Sequence, residues 1–183
     1  MSNPSQREDA LVIGAGVMGV GIAQVAAQSG HRVFLYDQRE GAAAKARGQV
    51  AEVLAKLVAK GKLAQPQADA TMDRLQPLDS LEPARGARLA IEAIVEKLDA
   101  KRALFAQLEG LLAADAILAT NTSSISVTAI AAGLQHPGRL VGMHFFNPVP
   151  LMALVEVVSG LQTDPQVAAR IEQLSWDWGK VPV

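Results

Sequence analysis

The chain has 183 residues, a net charge of −1 and a hydrophobic fraction of 50%, which together suit one sizeable domain with its own core. A nearly neutral chain has no bulk electrostatic reason to bind nucleic acid or an anionic membrane, and we expect neither partner. The absence of cysteine excludes disulfides, thiolate metal ligands and a cysteine nucleophile, and we expect no metal site. The polar start MSNPSQREDA lacks the apolar stretch of a signal peptide, and no apolar run is long enough to span a membrane, which favours a cytoplasmic protein.

Strand and helix patterns alternate along the rest of the chain. Apolar runs that predict strands occur in ALVIGAG, HRVFLYD, ARLAIEAI, AILATN, RLVGMHFF and MALVEVV. Helices are predicted between them, in VMGVGIAQVAAQSG, EGAAAKARGQVAEVLAKLVAKGKL, KLDAKRALFAQLEGLLAAD, SSISVTAIAAGL and DPQVAARIEQLSWDWGK, with short elements at 65–86. This alternation is typical of an α/β domain with a mainly parallel sheet covered on both faces, and we expect it to occupy residues 1–183.

A glycine-rich loop joins the first strand to the first helix. Its sequence GAGVMG places Gly14, Gly16 and Gly19 in the pattern G-x-G-x-x-G, which in this context is typical of dinucleotide binding. The first glycine permits a tight turn, the second lets the backbone approach a pyrophosphate, and the third lets the helix pack closely on the sheet. Free N–H groups at the start of the helix would meet the phosphates, so we also expect contacts from Val17 and Met18.

An acidic residue, Asp37, ends the second predicted strand eighteen residues after Gly19. Its carboxylate would accept hydrogen bonds from the adenosine ribose and would repel a 2′-phosphate, which favours NAD over NADP. The nearby Arg39 argues the other way, since an arginine can accommodate that phosphate. The alternative to a cofactor site is a purely structural glycine turn with Asp37 an ordinary residue at the end of a strand.

The segment GMHFFNPVPLMALVEVVSG contains one histidine, His144, and one carboxylate, Glu156, in apolar surroundings. Oxidation of an alcohol by a nicotinamide needs a base for the hydroxyl proton, and histidine suits that task near neutral pH. A carboxylate on one ring nitrogen would fix the tautomer and stabilise the imidazolium. The pattern alone leaves open that His144 caps a strand and that Glu156 faces solvent.

Four stretches together resemble the N-terminal domain of the 3-hydroxyacyl-CoA dehydrogenases. They are GAGVMGVGIAQVAAQSGHRVFLYD, IEAIVEKLDAKRALFAQLE, ILATNTSSISVTAIA and MHFFNPVPLMALVEVV, of which the last is the most specific. The resemblance implies a Rossmann-like doubly wound domain, NAD as cofactor, and reversible oxidation of L-3-hydroxyacyl-CoA, as in fatty acid β-oxidation. It also implies a following all-helical domain that forms a homodimer. Because the final VPV resembles the opening of another strand, we expect the chain to be truncated before that domain.

The resemblance further implies catalytic roles for individual residues. His144 and Glu156 correspond to the family's catalytic pair, and Ser123 and Asn147 correspond to residues that contact the substrate. From the residues themselves, Ser123 and Asn147 could donate hydrogen bonds to the reacting oxygen. A different role is open for the serines of NTSSIS, since Ser123 or Ser124 could instead cap the following helix.

On the cofactor side, the resemblance implies that Glu96, Lys101 and Asn121 lie near the nicotinamide ribose. Glu96 and Lys101 could equally be solvated charges in the first turn of a helix. Lys56 and Lys60 are four residues apart on a predicted helix and could meet the phosphates of coenzyme A, although such lysines more often keep a helix face soluble.

The sequence therefore predicts an NAD-dependent 3-hydroxyacyl-CoA dehydrogenase that acts on an acyl-CoA. For the 183-residue chain by itself we expect NAD binding with little or no activity. The alternative is a relative that binds a dinucleotide without turnover. Near the C-terminus, Trp176 and Trp178 flank one aspartate, and we expect both to pack against the missing domain or a partner.

Overall fold

The computed structural model describes residues 7–183, so the first six residues of the expected domain and of its polar N-terminal segment lie outside the description. The strands are β1 (Ala10–Ile13), β2 (Val33–Tyr36), β3 (Leu75–Leu78), β4 (Leu89–Glu92), β5 (Ile117–Thr120), β6 (Leu140–Phe145), β7 (Leu154–Val158) and β8 (Val181–Pro182). The α-helices are α1 (Val17–Gln28), α2 (Ala42–Ala59), α3 (Gln65–Arg74), α4 (Leu98–Leu111), α5 (Val127–Ala131) and α6 (Pro165–Asp177). Two short 3₁₀ turns occupy Glu82–Ala84 and Pro137–Arg139.

The eight strands form one sheet in the order β3-β2-β1-β4-β5-β6-β7-β8. All neighbouring pairs from β3 to β6 are parallel, β7 runs antiparallel to β6, and β8 is parallel to β7. The strand order reverses between β1 and β4, and ligands of such sheets bind beyond the carboxyl ends of the strands at that point. The predicted doubly wound, mainly parallel sheet is confirmed, and the final strand suggested by VPV is present as β8.

Two apolar layers cover the sheet because alternate strand residues point to opposite faces. Ala10 and Val12 of β1 belong to a cluster that also contains buried residues of α1, α2, α3 and α6. Leu11 and Ile13 belong to a second cluster, with buried residues of α4 and α5. The central strands β1, β2, β4 and β5 are short and mostly apolar because both of their faces are buried, whereas β3, β7 and β8 contain exposed residues.

Two local expectations differ from the structure. Helix α5 begins at Val127, and its N-cap is Ser126, whose Oγ accepts a hydrogen bond from the backbone of Ala129 at 3.2 Å, so neither Ser123 nor Ser124 is the cap. The expectation for Trp178 is wrong, because its side chain belongs to the core of this domain and is 6% exposed.

No helix within residues 7–183 is both long and apolar enough to cross a membrane. The same residues contain no group of three or more histidine, aspartate or glutamate side chains placed to hold a metal ion.

Candidate active site

The loop between β1 and α1 has the shape expected for binding a pyrophosphate. Gly14 has φ +107°, and a Cβ built there would lie 2.3 Å from the backbone oxygen of Ala93. A Cβ on Gly19 would lie 1.7 Å from the backbone oxygen of Gly14, so the helix can approach the turn only without a side chain. At Gly16 a Cβ would meet nothing within 4 Å, and no side chain caps the helix at this residue. The chain therefore leaves open space at the N-terminal end of α1, where backbone N–H groups and the helix dipole favour an anion.

Asp37 follows the last residue of β2 and faces this loop. Its Oδ2 accepts a hydrogen bond from the backbone N–H of Ala15 at 2.8 Å, which ties the end of β2 to the glycine-rich turn. The guanidinium of Arg39 beside it lowers the pKa of Asp37 to about 2. Asp37 is therefore a carboxylate at neutral pH, at the end of the strand where such folds recognise a ribose.

A cavity of about 330 Å³ lies beyond the carboxyl ends of β4, β5 and β6. It is lined by Met18, Ala93, Ile94, Glu96, Lys101, Asn121, Ser123, His144, Phe145, Phe146 and Asn147. Seven of these were singled out from the sequence, namely Met18, Glu96, Lys101, Asn121, Ser123, His144 and Asn147. The fold thus brings together residues that are up to 129 positions apart in the chain.

His144 and Glu156 lie directly opposite each other in the antiparallel pair β6–β7. Their side chains meet, with His144 Nδ1 3.3 Å from Glu156 Oε1, and are 20% and 44% exposed. The ring of Phe146 packs against the imidazole at a centroid distance of 4.7 Å. Glu156 is not among the residues that line the cavity, so it supports the imidazole from behind. Because Nδ1 is engaged by Glu156, Nε2 is the ring nitrogen left for a ligand in the cavity.

Two interactions hold the backbone on either side of Asn147. The N–H of Phe145 donates to Asn121 Oδ1 at 2.8 Å, which fixes the end of β6 against the segment after β5. The ammonium of Lys180 is buried and donates to the carbonyls of Val149 and Met152 at 2.6 and 2.8 Å. Burial lowers the pKa of Lys180. The connection that contains Asn147 is therefore anchored at both ends.

Beneath the cavity lies a buried ionic network that the sequence interpretation missed. Lys101 Nζ donates to Glu92 Oε2 at 2.5 Å, and Glu92 Oε1 accepts from the hydroxyl of Thr120 at 2.6 Å. The idea that Lys101 is a solvated charge is wrong, whereas Glu96 is exposed and lies 3.7 Å from the same ammonium. The available signal for Glu92 was a single carboxylate at the end of the otherwise apolar strand LAIE.

The other predicted residues lie away from the cavity. Gly14, Gly16, Val17, Gly19 and Asp37 are on the loop and strand that adjoin it, at the position expected for the adenosine half of a dinucleotide. Lys56 is exposed on α2 and Lys60 is exposed at the C-cap of that helix. Neither lines the cavity, so their contact with coenzyme A stays a prediction.

With this geometry in place, comparison with known proteins identifies close relatives. The sequence profile of the family described as "3-hydroxyacyl-CoA dehydrogenase, NAD binding domain" matches residues 9–183. The chain is 48% identical over 172 residues to 3-hydroxyadipyl-CoA dehydrogenase of Escherichia coli K12, which covers 94% of this chain and 36% of that protein. It is 43% identical over 172 residues to a probable 3-hydroxybutyryl-CoA dehydrogenase of Deinococcus radiodurans, covering 94% of this chain and 62% of that protein.

Solved structures agree with this result. The crystal structure of 3-hydroxybutyryl-CoA dehydrogenase from Escherichia coli K12 superposes with a TM-score of 0.94 at 46% identity, covering 96% of this chain and 37% of that one. That of (S)-3-hydroxybutyryl-CoA dehydrogenase from Ralstonia eutropha gives a TM-score of 0.93 at 39% identity, covering 96% and 62%. The chain thus spans between about one third and two thirds of the length of these relatives.

Proposed function

The chain belongs to the 3-hydroxyacyl-CoA dehydrogenase family as an NAD-binding domain, and we propose that the protein catalyses the reversible oxidation of an L-3-hydroxyacyl-CoA to the 3-oxoacyl-CoA. The observation that carries this proposal is the contact between His144 and Glu156 at the cavity beside the dinucleotide-binding loop. A histidine held by a carboxylate, next to a binding site for a hydride acceptor, can take the hydroxyl proton that oxidation of an alcohol releases.

His144 moves the proton in this reaction. NAD, when bound, supplies the hydride acceptor for the carbon that bears the hydroxyl. In the direction of oxidation, His144 Nε2 takes the hydroxyl proton, while Glu156 holds Nδ1 and stabilises the imidazolium that forms. In the reverse direction the same imidazolium returns the proton to the oxygen.

Ser123 and Asn147 bind the reacting oxygen of the substrate. Both line the cavity with His144, and each can donate a hydrogen bond to an oxygen on which negative charge develops. On the cofactor side we assign contacts to Glu96, Lys101 and Asn121, which line the same cavity.

The glycine-rich loop and its neighbours bind the rest of the cofactor and the substrate. Val17 and Met18 offer N–H groups to the pyrophosphate from the first turn of α1. Lys56 on the exposed side of α2 and Lys60 at its C-terminal end would meet the phosphates of coenzyme A, if the substrate extends across that helix.

Assay of NADH oxidation with acetoacetyl-CoA by the full-length protein, with the domain proposed below to follow this one, tests the activity. We expect His144→Ala to lower kcat by about 10²- to 10⁴-fold, as loss of a general acid does. The Kd of NADH, measured by fluorescence titration, should stay within about twofold, since His144 serves proton transfer and not cofactor binding. Wild-type activity in the substituted protein would remove His144 from the mechanism. Binding of NADH without turnover by the full-length wild-type protein would instead favour a non-catalytic relative.

Assays with a panel of substrates determine which acyl group the enzyme prefers. The relatives named for 3-hydroxyadipyl-CoA and 3-hydroxybutyryl-CoA suggest a short acyl chain with or without a terminal carboxylate. We propose that 3-hydroxyacyl-CoA substrates of this size are oxidised, and comparison of kcat/KM for the two compounds decides between them. A preference for free hydroxy acids over the thioesters would contradict the proposed substrate class.

We also propose that a helical dimerisation domain follows this domain in a longer natural protein, which acts in the cytoplasm. Support comes from the lengths of the relatives, of which the chain spans 36% and 62%. The mass and oligomeric state of the protein isolated from its natural source, measured by light scattering, test this. A monomer with the mass of 183 residues would contradict it.

The proposed location in the cytoplasm has its own test, which is fractionation of the source cells.

A further inference from the structure

The carboxylate of Asp37 is fully occupied by hydrogen-bond donors of its own chain. Oδ1 accepts from the backbone N–H of Arg39 at 2.8 Å and from the Nε of the same residue at 3.0 Å. Oδ2 accepts from the backbone N–H of Ala15 at 2.8 Å and from Arg39 Nη2 at 3.0 Å. A carboxylate offers about four lone-pair positions, so these four donors leave none for a ligand.

Only two of the four donors can leave without a change of fold. The N–H groups of Ala15 and Arg39 are backbone groups of the glycine-rich turn and of the chain after β2. The guanidinium sits on a side chain that is 66% exposed, and it can swing into solvent. The acceptor positions that a ribose diol needs at Asp37 are therefore those that the Arg39 guanidinium fills.

This arrangement has opposite consequences for the two nicotinamide dinucleotides. The ribose hydroxyls of NAD compete with the guanidinium for Asp37. The 2′-phosphate of NADP would be repelled by a free Asp37 carboxylate, yet here that carboxylate is paired with a cation that can itself bind phosphate in a fork.

We propose that Arg39 sets the dinucleotide selectivity of this domain, by weakening NAD binding at Asp37 and by supplying the charge partner for the 2′-phosphate of NADP. The inference rests on the dinucleotide-binding role proposed above and deepens it. Asp37 alone would give strict selection of NAD, and Arg39 reduces that selection so that NADP binds measurably.

Fluorescence titration of the chain with NADH and with NADPH tests this without any measurement of turnover. Arg39→Gln removes the charge and keeps much of the length of the side chain. Because an exposed ion pair is weak, we expect the Kd of NADH to fall about two- to fivefold. The Kd of NADPH should rise about five- to tenfold, as loss of one charged partner of a phosphate predicts. The Kd of NADPH divided by the Kd of NADH then rises by at least about tenfold.

The matched control is Arg32→Gln. Arg32 forms an exposed ion pair with Asp9 near the start of β2, at the opposite end of the same strand, so its loss changes the net charge equally. Both dissociation constants should stay at their wild-type values in this control.

Three outcomes would overturn the inference. An unchanged ratio of the constants in Arg39→Gln would show that Asp37 alone determines selectivity. An equal shift of the ratio in Arg32→Gln would show a general effect of charge. Binding of neither dinucleotide by the wild-type chain would refute the dinucleotide role itself, which separates failure of the proposed function from failure of the role of Arg39.

Discussion

Lys101 and Glu92 form an ion pair inside the domain, with the ammonium 2.5 Å from the carboxylate and side chains that are 1% and 0% exposed. The carboxylate also accepts from the N–H of Ile94 at 2.8 Å and from the hydroxyl of Thr120 at 2.6 Å. The pair thus joins the ends of β4 and β5 to α4 directly beneath the cavity.

Removal of one member of this pair should destabilise the domain strongly. We expect Lys101→Met to lower the free energy of unfolding by about 3–5 kcal/mol, because Glu92 is left as an unpaired buried charge. Denaturant unfolding followed by circular dichroism measures the change. The control is Arg85→Met, which breaks an exposed ion pair with Glu82 and should change stability by less than about 1 kcal/mol. Equal effects of the two substitutions would contradict a structural role for the buried pair.

Substitution by alanine should have different effects at Gly16 and at Gly19 of the glycine-rich loop. Gly16 has φ −77° and open space around its Cα, so Gly16→Ala should keep the stability within about 1 kcal/mol. The added methyl group occupies the space for the pyrophosphate, and we expect the Kd of NADH to rise at least about tenfold. Fluorescence titration and thermal unfolding on the same sample measure both quantities.

Gly19→Ala is the matched comparison, since its Cβ would lie 1.7 Å from the backbone oxygen of Gly14. We expect this variant to lose more than about 2 kcal/mol of stability through overpacking of backbone against backbone. If Gly16→Ala binds NADH as the wild type does, the open space at Gly16 is not where the cofactor lies.

Local patterns in the sequence were sufficient to predict the fold class and the family. Short apolar runs predicted the central strands because strands buried on both faces need no alternation. Gly14 and Gly19 are fixed by close contacts with neighbouring backbone, whereas Gly16 lies in open space. The resemblance to the 3-hydroxyacyl-CoA dehydrogenases and the NAD cofactor are confirmed by the family match. The sequence predicted contact between His144 and Glu156 only if β6 and β7 are neighbouring strands. The structure shows that they are.

Partners that depend on tertiary packing were not predictable. Glu92 stands out as a charge in a strand, yet nothing local identifies Lys101, nine residues later on a helix, as its partner. Trp176 and Trp178 are two residues apart, and such positions at the end of a helix point to nearly opposite sides. Trp178 enters the core, where it meets His31, while Trp176 is 56% exposed and its packing against another domain or partner stays a prediction.

Acid should destabilise the domain through His31. Its Nε2 accepts a hydrogen bond from the indole N–H of Trp178 at 3.0 Å, and its Nδ1 lies 2.7 Å from the carbonyl of Glu8, so the neutral ring with a proton on Nδ1 satisfies both contacts. Burial lowers the pKa of His31, and the positive charges of Arg7 and Arg170 lower it further, whereas the hydrogen bond to the carbonyl of Glu8 and the charge of Glu8 raise it. A protonated Nε2 can no longer accept from Trp178.

The sign of this effect follows from proton binding. Because the pKa is lower in the folded state, the unfolded chain binds more protons in the range between the two pKa values. The contribution of His31 to stability is therefore complete above the unfolded pKa of about 6.5 and is lost as the pH falls through the folded pKa. Urea unfolding between pH 5 and pH 7.5 measures the loss. His31→Gln should flatten this part of the curve, and the exposed control His136→Gln should not. A curve in His31→Gln with the wild-type slope would assign the acid sensitivity to other groups.

Substitution of Glu156 separates two ways in which this carboxylate can serve His144. If it only orients the ring, Glu156→Gln should be nearly as active as the wild type, since an amide oxygen can still accept from Nδ1. If it also stabilises the imidazolium, the loss of charge should lower kcat about three- to tenfold, a modest factor because the pair is partly exposed. We expect the second result, together with a larger loss of kcat in Glu156→Ala, where orientation and charge are both removed.

The Kd of NADH should be unchanged in both variants, because Glu156 lies behind the imidazole and does not line the cavity. Steady-state kinetics and NADH titration measure these quantities, and full activity in Glu156→Ala would mean that His144 needs no partner on β7.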